Sequence, residues 1–213
     1  MPEPLPRSFY LQGALAGARS LLNCILVRET AEGIVSGRIS ETEAYTSDDP
    51  SAHSYRGKTV RNATMFGPAG HAYVYLSYGM HYCMNVVTSE MGRADAVLIR
   101  AVEPLDGWEL MSRRRGLPDV EIDRLAAAAS DPRVRVRWGR SLTGGPGKLC
   151  QAFGVTLADD GFDLTRGKGM WIISPATASP YHEICASPRI GIRLSVDLLQ
   201  RFTLRGDPYV SKK

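Results

Sequence analysis

Two strand-like runs joined by a short, glycine-containing link constrain the fold of this chain most strongly. The runs are Ala72–Leu76 and Tyr82–Thr88, and the segment between them reads Ser77-Tyr78-Gly79-Met80-His81. β-Branched and aromatic residues favour strands, and a short link containing glycine is typical of a β-hairpin. Because a hairpin pairs its two strands in opposite directions, the sequence predicts an antiparallel sheet.

Further strand-like runs and amphipathic segments fill the rest of the 213 residues. The predicted strands are Cys24–Arg28, Ile34–Tyr45, Ala96–Val102 (broken by Glu103-Pro104), Trp171–Ile173, Arg189–Leu194 and Phe202–Arg205. The predicted helices are one carrying Leu11, Leu15, Ala18, Leu21 and Leu22, then Leu105–Arg115, Val120–Ala129 and Lys148–Phe153. Without a repeat or a linker, this order predicts one α+β domain with a largely antiparallel sheet.

Two segments lack a periodic pattern. Residues 1–8 are rich in proline, so we expect a flexible tail followed by a single domain over residues 9–213. The stretch Thr46–Gly70 is predicted to be a long loop. A loop of that length inside a compact domain is more often functional than not.

Composition excludes several classes of protein. Hydrophobic residues make up 44% and charged residues 23%, as in ordinary globular domains. No apolar stretch reaches the roughly 18 residues of a membrane span, and the first residues do not resemble a secretory signal. The four cysteines form no C-x-x-C pair. We therefore expect reduced cysteines in an intracellular protein, cytoplasmic at a bacterial nucleoid or nuclear in a eukaryote.

Positive charge is concentrated in one part of the chain. The net charge is +4, yet Met111–Lys148 alone holds nine Lys/Arg against four Asp/Glu, a surplus of five. Arg113-Arg114-Arg115 and the arginines between 133 and 140 supply most of it. A polyanion-binding surface and a solvated helix face explain this cluster equally well.

Motif tests identify no cofactor and no metal site. Gly144–Leu149 lacks the first glycine and the last Ser/Thr of a phosphate loop, and H-E-x-x-H is absent. A plain turn is the simpler interpretation of Gly144–Leu149, although its amides and Lys148 could hold one phosphate.

Two groups of residues could carry chemistry. Side chains alternate along a strand, so Ile39, Glu41, Glu43 and Tyr45 are predicted to share one face, which turns from apolar to acidic. An exposed strand end is the simpler explanation of the carboxylates, and alternation does not distinguish Glu41 from Glu43.

The second group lies on the predicted hairpin. Tyr78 is expected at the tip, where a rigid aromatic side chain can act as a wedge between bases. Asn85 lies in an otherwise apolar strand and needs a hydrogen-bonding partner or a function.

A series of short motifs, weak singly but specific in their order, resembles one family. They are Glu41-Thr42-Glu43-Ala44-Tyr45, Ala52-His53-Ser54, Arg61-Asn62 to Met65-Phe66, Tyr73 to Met80, Cys83-Met84-Asn85, Arg100-Ala101-Val102-Glu103-Pro104, Gly145-Pro146-Gly147-Lys148-Leu149-Cys150 and Pro188-Arg189-Ile190-Gly191. From about Gly13 to Ser211 the chain resembles the alkyladenine (3-methyladenine) DNA glycosylases of the mammalian type, which also occur in bacteria.

The resemblance implies a fold and an activity. The fold would be a single α+β domain around a curved antiparallel sheet, a partly open barrel with surrounding helices. The activity would be removal of alkylated or deaminated purines, such as 3-methyladenine, 7-methylguanine, hypoxanthine and ethenoadenine, from double-stranded DNA. The enzyme would act as a monomer without cofactor and leave an abasic site. No lysine occupies the family's base-pocket positions, so we expect no strand cleavage.

The resemblance also implies a role for particular residues. Glu43 would be the general base that activates water, which Arg100 and the carbonyl of Ile190 would help to hold. Tyr45, His53 and Tyr75 would stack on the flipped base, and Asn85 would exclude the 2-amino group of guanine. Tyr78, with Met80 beside it, would fill the gap in the DNA, and Gly147 and Lys148 would contact phosphates.

Two alternatives stay open at this point. A binding module that recognises alkylated bases without cutting them would keep Tyr78 but would not need Glu43. An RNA-binding accessory domain is suggested only by a similarity of fold to a domain of a tRNA formyltransferase.

Overall fold

The computed structural model describes residues 3–175, 181 and 183–211. Its helices are α1 (Arg7–Tyr10), α2 (Gly13–Ser20), α3 (Trp108–Arg114), α4 (Asp119–Ala127), α5 (Pro132–Thr143) and α6 (Pro146–Phe153), with 3-10 helices at Ala63–Phe66 and Leu157–Asp159. Its strands are β1 (Ile25–Thr30), β2 (Gly33–Tyr45), β3 (Ala72–Ser77), β4 (His81–Val87), β5 (Ala96–Asp106), β6 (Met170–Ile173), β7 (Ile184–Ser187) and β8 (Arg201–Leu204).

Within the described residues, all eight strands join one antiparallel sheet, which confirms the predicted α+β class. The order is β3-β4-β5-β2-β1-β6, and β8 with β7 is added at β2. One edge of β2 pairs with β5, while the other pairs first with β1 and then, over Glu41–Glu43, with β8. The sheet therefore divides along β2 and curls into a partly open barrel.

Helices cover one face of this sheet. α2 packs on β2 and β5, and α6 packs on β4 and β5. The close approach of α2 depends on Gly17, since a Cβ there would lie 3.1 Å from the Thr88 side chain. Leu15, predicted to face the core, is nearly half exposed because small residues form the buried face of α2, and Leu11, also nearly half exposed, lies before that helix.

Two bulges in the pairing of β2 with β5 change the directions of the side chains near the site. Ile39 pairs with Val102, Glu41 with Ala101 and Thr42 with Ile99, so Ser40 on one strand and Arg100 on the other have no opposite residue. A bulge reverses the alternation of side chains beyond it. The prediction that Ile39 shares a face with the two glutamates is therefore wrong, since Ile39 lies in the core with Ala44.

Three other expectations about the chain path differ from the structure. β5 continues through Pro104 because a third bulge beside it spares the proline a ladder hydrogen bond. Arg189–Leu194 is a loop with Gly191 at a φ of 80°, and the strand lies earlier, in β7. In the predicted tail, whose residues 1 and 2 lie outside the described residues, Leu5 is fixed to the sheet: its side chain is buried and its amide donates to the Ile172 carbonyl at 2.7 Å.

α5 has no counterpart among the predicted helices. Asp131 caps it by accepting from the Arg133 amide at 2.8 Å, and Pro132 occupies its first turn. These two neighbours are a recognisable helix start. Among the described residues, no helix has the length and apolar character of a membrane span.

Candidate active site

Glu41 lies in a buried network of hydrogen bonds in which arginines balance its charge. It is fully buried, and its Oε1 accepts from Nε of Arg100 at 2.8 Å and from Nε of Arg201 at 2.7 Å. Ser211 adds its amide to Oε2 at 2.7 Å and its hydroxyl to Oε1 at 2.9 Å. Burial by itself would raise the pKa of Glu41, but these arginines and Ser211 outweigh it and hold the pKa below the usual value.

Glu43 is equally buried but less fully compensated. Its Oε2 accepts from the Tyr45 hydroxyl at 2.9 Å and lies 3.2 Å from Nη1 of Arg100, and its Oε1 accepts from the Ile190 amide at 2.7 Å. Burial is the largest effect on this carboxyl, and Arg100, the amide and the hydroxyl offset it only in part. The pKa of Glu43 is therefore raised.

Arg100 connects the two carboxylates. The bulge directs its guanidinium so that Nε meets Glu41 and Nη1 meets Glu43. Burial lowers its pKa, but the two glutamates, Glu43 first, outweigh burial and raise it. Arg100 is thus a fixed cation that binds Glu41 through Nε and lies within ion-pair distance of Glu43 through Nη1.

A cavity of about 790 Å³ opens directly beside Glu43. Tyr45, Arg100 and Ile190, the three residues that contact the Glu43 carboxylate, all line it. Glu43 itself has no exposed surface, so it lies immediately behind the cavity wall. The volume falls within the range of sites for small ligands, to which a purine base belongs.

Aromatic rings form one side of this cavity. Tyr73 and Tyr75 stack with ring centres 5.4 Å apart, and the His53 ring meets Tyr75 edge-on at 4.5 Å. The His53 Nδ1 lies 3.0 Å from the Tyr73 hydroxyl. Burial of the ring, followed by the charge of Arg61, lowers the pKa of His53 and favours a neutral imidazole.

The loop that carries His53 is fixed by a residue whose role was not predicted. The buried Asn62 donates to the carbonyls of His53 at 2.8 Å and Gly57 at 3.0 Å, and it accepts from the Thr59 amide at 2.6 Å. An asparagine with both ends of its amide engaged holds a loop without regular structure. No role was predicted for Tyr73 either, although its hydroxyl contacts His53.

Tyr45 is held from behind by another residue without a predicted role. The buried Arg189 guanidinium lies 4.5 Å from the Tyr45 ring centre, donates to the Ala44 carbonyl at 2.8 Å and pairs with Asp49. A cation on one face of the ring leaves the other face free for a stacked ligand. Burial, followed by the charge of Glu43, raises the pKa of the Tyr45 hydroxyl, so it stays protonated as a donor.

The hairpin tip projects at the rim of the cavity. Tyr78 is 79% exposed and Met80 is 72% exposed, and Tyr78 adopts a φ of 49°, which side chains rarely take. The Tyr78 hydroxyl donates to the Gly191 carbonyl at 3.4 Å, so the tip reaches across to the loop that covers Glu43. Tyr78 lines the cavity, and Met80 is outside its lining.

The first turn of α6 forms another part of the rim. A Cβ at Gly147 would lie 2.9 Å from the Cβ of His81, so this turn packs against the hairpin directly beside its tip. Lys148 is exposed and also lines the cavity. The expectation that strand cleavage is absent because no lysine is in the pocket is therefore weakened, since one lysine stands at the rim.

Predicted site residues converge in this region, although their roles stay predictions. Glu43 lies behind the cavity wall. The predicted residues in the lining itself are Tyr45, His53, Tyr75, Tyr78, Asn85, Arg100, Gly147, Lys148 and Ile190. Asn85 is buried and donates to the Tyr73 carbonyl at 3.4 Å. Ile190 contacts Glu43 through its amide, whereas the predicted role belongs to its carbonyl. Within the described residues, no group of three His, Cys, Asp or Glu side chains could hold a metal ion.

Comparison with known proteins agrees with this geometry. The family model described as methylpurine-DNA glycosylase matches residues 8–208. A protein of Carboxydothermus hydrogenoformans is 46% identical over 98% of this chain and 99% of its own length. Proteins of Methanoculleus marisnigri (44% identical, covering 98% and 99%) and Rhodopseudomonas palustris (45%, covering 98% and 90%) are similarly close. All three are named, provisionally, as 3-methyladenine DNA glycosylases. The chain belongs to the methylpurine-DNA glycosylase family, which confirms the resemblance and the class of enzyme predicted from its motifs.

Proposed function

We propose that this glycosylase excises alkylated and deaminated purines from duplex DNA by hydrolysis of the N-glycosidic bond, with Glu43 as the general base. The observation that carries the proposal is the state of Glu43: a buried carboxylate with a raised pKa, directly behind a cavity that aromatic side chains line. Incomplete compensation of a buried charge is typical of catalytic groups.

In the proposed reaction a bond from C1′ to the water oxygen replaces the bond from C1′ to the base, and a base that is neutral in DNA, such as hypoxanthine, also takes up a proton from solvent as it leaves. Water attacks the sugar C1′ while the bond from C1′ to the base nitrogen breaks, and the bonding electrons leave with the base. Glu43 takes the proton from the water, and its negative charge favours the positive charge that develops on the sugar. Arg100, which also binds Glu41, holds the Glu43 carboxylate in place.

Water must first reach Glu43. The Tyr45 hydroxyl and the Ile190 amide both cover its oxygens in this structure. We propose that the flipped nucleotide displaces one of these contacts and that the Ile190 carbonyl then helps to hold the water. The loop of Ile190 is without secondary structure and includes Gly191, which suits a small shift.

Base recognition would use stacking and exclusion. Tyr45, His53 and Tyr75 supply aromatic faces, which attract a cationic alkylated purine more than a neutral one. Asn85, oriented by the Tyr73 carbonyl, would crowd the 2-amino group of normal guanine. Tyr78 would fill the gap in the duplex, with Met80 beside it on the exposed tip.

The test uses purified protein as a monomer, without metal or cofactor. One duplex carries hypoxanthine and another is treated with a methylating agent, and free bases are quantified. We expect base release and intact but alkali-sensitive strands, and borohydride should trap no covalent complex in the wild type or in Lys148→Gln. Salt-sensitive binding without release from either duplex would contradict the proposal and favour a recognition module. Trapping that depends on Lys148 would contradict the monofunctional reaction.

A further inference from the structure

The basic surplus of the sequence separates into two structurally different groups. In the first, Arg113 pairs with Asp119 at 3.0 Å and Arg114 pairs with Glu32 at 2.7 Å. Arg115 donates to the side chain of Gln151. This group is engaged within the protein.

The second group forms a row on the outside of α5. Arg133, Arg137 and Arg140 are all exposed, and their spacing of four and three residues places them on one helix face. Arg135 points elsewhere, with its guanidinium 4.5 Å from the centre of the Trp108 ring. Within the described part of the chain, none of the three outer arginines has a carboxylate within 4 Å, although, after Arg124, the charge of Arg137 contributes to the lowered pKa of Glu121.

The opposite face of α5 explains why the row is fixed in place. Trp138 and Leu142 are buried, and the Trp138 indole donates to the Ser112 hydroxyl at 3.0 Å. Gly139 allows close packing, since a Cβ there would lie 2.6 Å from the Tyr209 ring. The helix therefore presents its outer arginines from a rigid base.

A groove of about 720 Å³ runs along this row and meets the active-site cavity. Arg133, Arg137 and Arg140 line it, and so do Gly144 and Lys148. Gly144 and Lys148 also line the cavity beside Glu43. The groove and the cavity therefore adjoin at the start of α6.

We propose that this groove, which we call the α5 track, holds the backbone of one DNA strand beside the flipped nucleotide. Arg133 and Arg140 are seven residues apart, which is about 10.5 Å along a helix at 1.5 Å per residue. One strand of duplex DNA carries about three phosphates over that length of axis, at 3.4 Å each. Guanidinium groups bind phosphate oxygens well, and such contacts carry no sequence information. The identity of the ligand rests on the proposed function.

The test measures how binding of an undamaged duplex depends on salt. Each phosphate contact contributes about 0.9 to the slope of log K against log salt, so Arg133→Gln/Arg137→Gln/Arg140→Gln should lower the slope by about 2.7. The matched control, Arg113→Gln/Arg124→Gln/Arg205→Gln, removes the same charge from exposed arginines that pair with their own carboxylates. We expect the control to keep most of the wild-type slope.

Two results would overturn the α5 track. One is an equal fall of the slope in both triple variants, which would mean that overall charge alone matters. The other is duplex binding like that of the wild type together with a loss of binding to polyglutamate, which would indicate docking of an acidic protein. Because the readout is binding to undamaged DNA, failure of this proposal is separable from failure of base release.

Discussion

Glu41 and Glu43 stand two residues apart on β2, yet their surroundings shift their pKa values in opposite directions. Glu41 has two arginines and two donors from Ser211, and its charge is stabilised. Glu43 contacts one of those arginines, Arg100, and the residues that cover its carboxylate separate it from the cavity. The difference supports the proposal that Glu41 maintains the structure and that Glu43 is the catalytic base.

The largest expected effect is that of Glu43→Gln on catalysis. Loss of a general base lowers the rate by about 10²–10⁴-fold, so single-turnover release of hypoxanthine should fall by that factor. Binding to the same duplex should stay near wild type, because the amide keeps the shape of the side chain. Retained turnover would remove the distinction between the two glutamates.

Glu41→Gln should mainly affect stability. Removing one partner of a buried ion pair costs about 3–5 kcal/mol of unfolding free energy, measurable by urea denaturation. The pKa of Glu41 is lower in the folded protein, so its contribution is present above about pH 4.5 and is lost as the pH falls through the folded value. Glu43 has the opposite sign: its stabilising effect is present at low pH and is lost as the pH rises through its raised pKa. Glu43→Gln should therefore be no less stable than the wild type at neutral pH, and an equal loss in both variants would contradict the comparison.

Tyr78→Ser should affect capture of the flipped state and leave stability unchanged. Stacking of an aromatic side chain on a base contributes about 1–3 kcal/mol, so binding to a hypoxanthine duplex should weaken about 5- to 150-fold. Tyr55→Ser is a matched control, since Tyr55 is 52% exposed and lies outside the cavity lining. Equal effects of the two substitutions would remove Tyr78 from the proposed wedge.

Asn85→Ala should produce a small loss of stability and a gain of activity. Loss of its hydrogen bond to the Tyr73 carbonyl costs about 0.5–1.5 kcal/mol. Removal of its bulk should raise release of normal guanine roughly tenfold, as measured on undamaged duplex. No change in guanine release would mean that another part of the cavity excludes this base.

Local pattern was enough to predict much of the sheet but not its bulges. The hairpin of β3 and β4 and the length of β2 follow from runs of β-forming residues and a glycine turn. A bulge depends on which residues pair across strands, so the reversal at Ser40 and the position of Arg100 cannot be predicted from alternation. The alternation of arginine and valine in α5 hid that helix, although Asp131-Pro132 marks its start.

The candidate site was predicted through the resemblance more than through residue chemistry. Glu41 and Glu43 look alike in the sequence, and long-range partners separate them in the structure: Arg201 and Ser211 for Glu41, and Ile190 for Glu43. The supporting roles of Arg189 and Asn62 were not predicted. Arg189 contacts Tyr45, which is distant in sequence, and Asn62 holds His53 in a loop that has no periodic sequence pattern. Such contacts depend on tertiary structure and leave no local pattern.

The pH dependence of base release tests the central claim most directly. The substrate is a duplex containing 7-methylguanine, whose base is already cationic and needs no further proton to leave. If Glu43 is the base, the single-turnover rate of the wild type rises with pH and levels off, with a midpoint above the 4.5 that is usual for a glutamate. Glu43→Gln should then show a low rate without this step. A wild-type rate that does not change with pH, or the same step in Glu43→Gln, would contradict the assignment of Glu43.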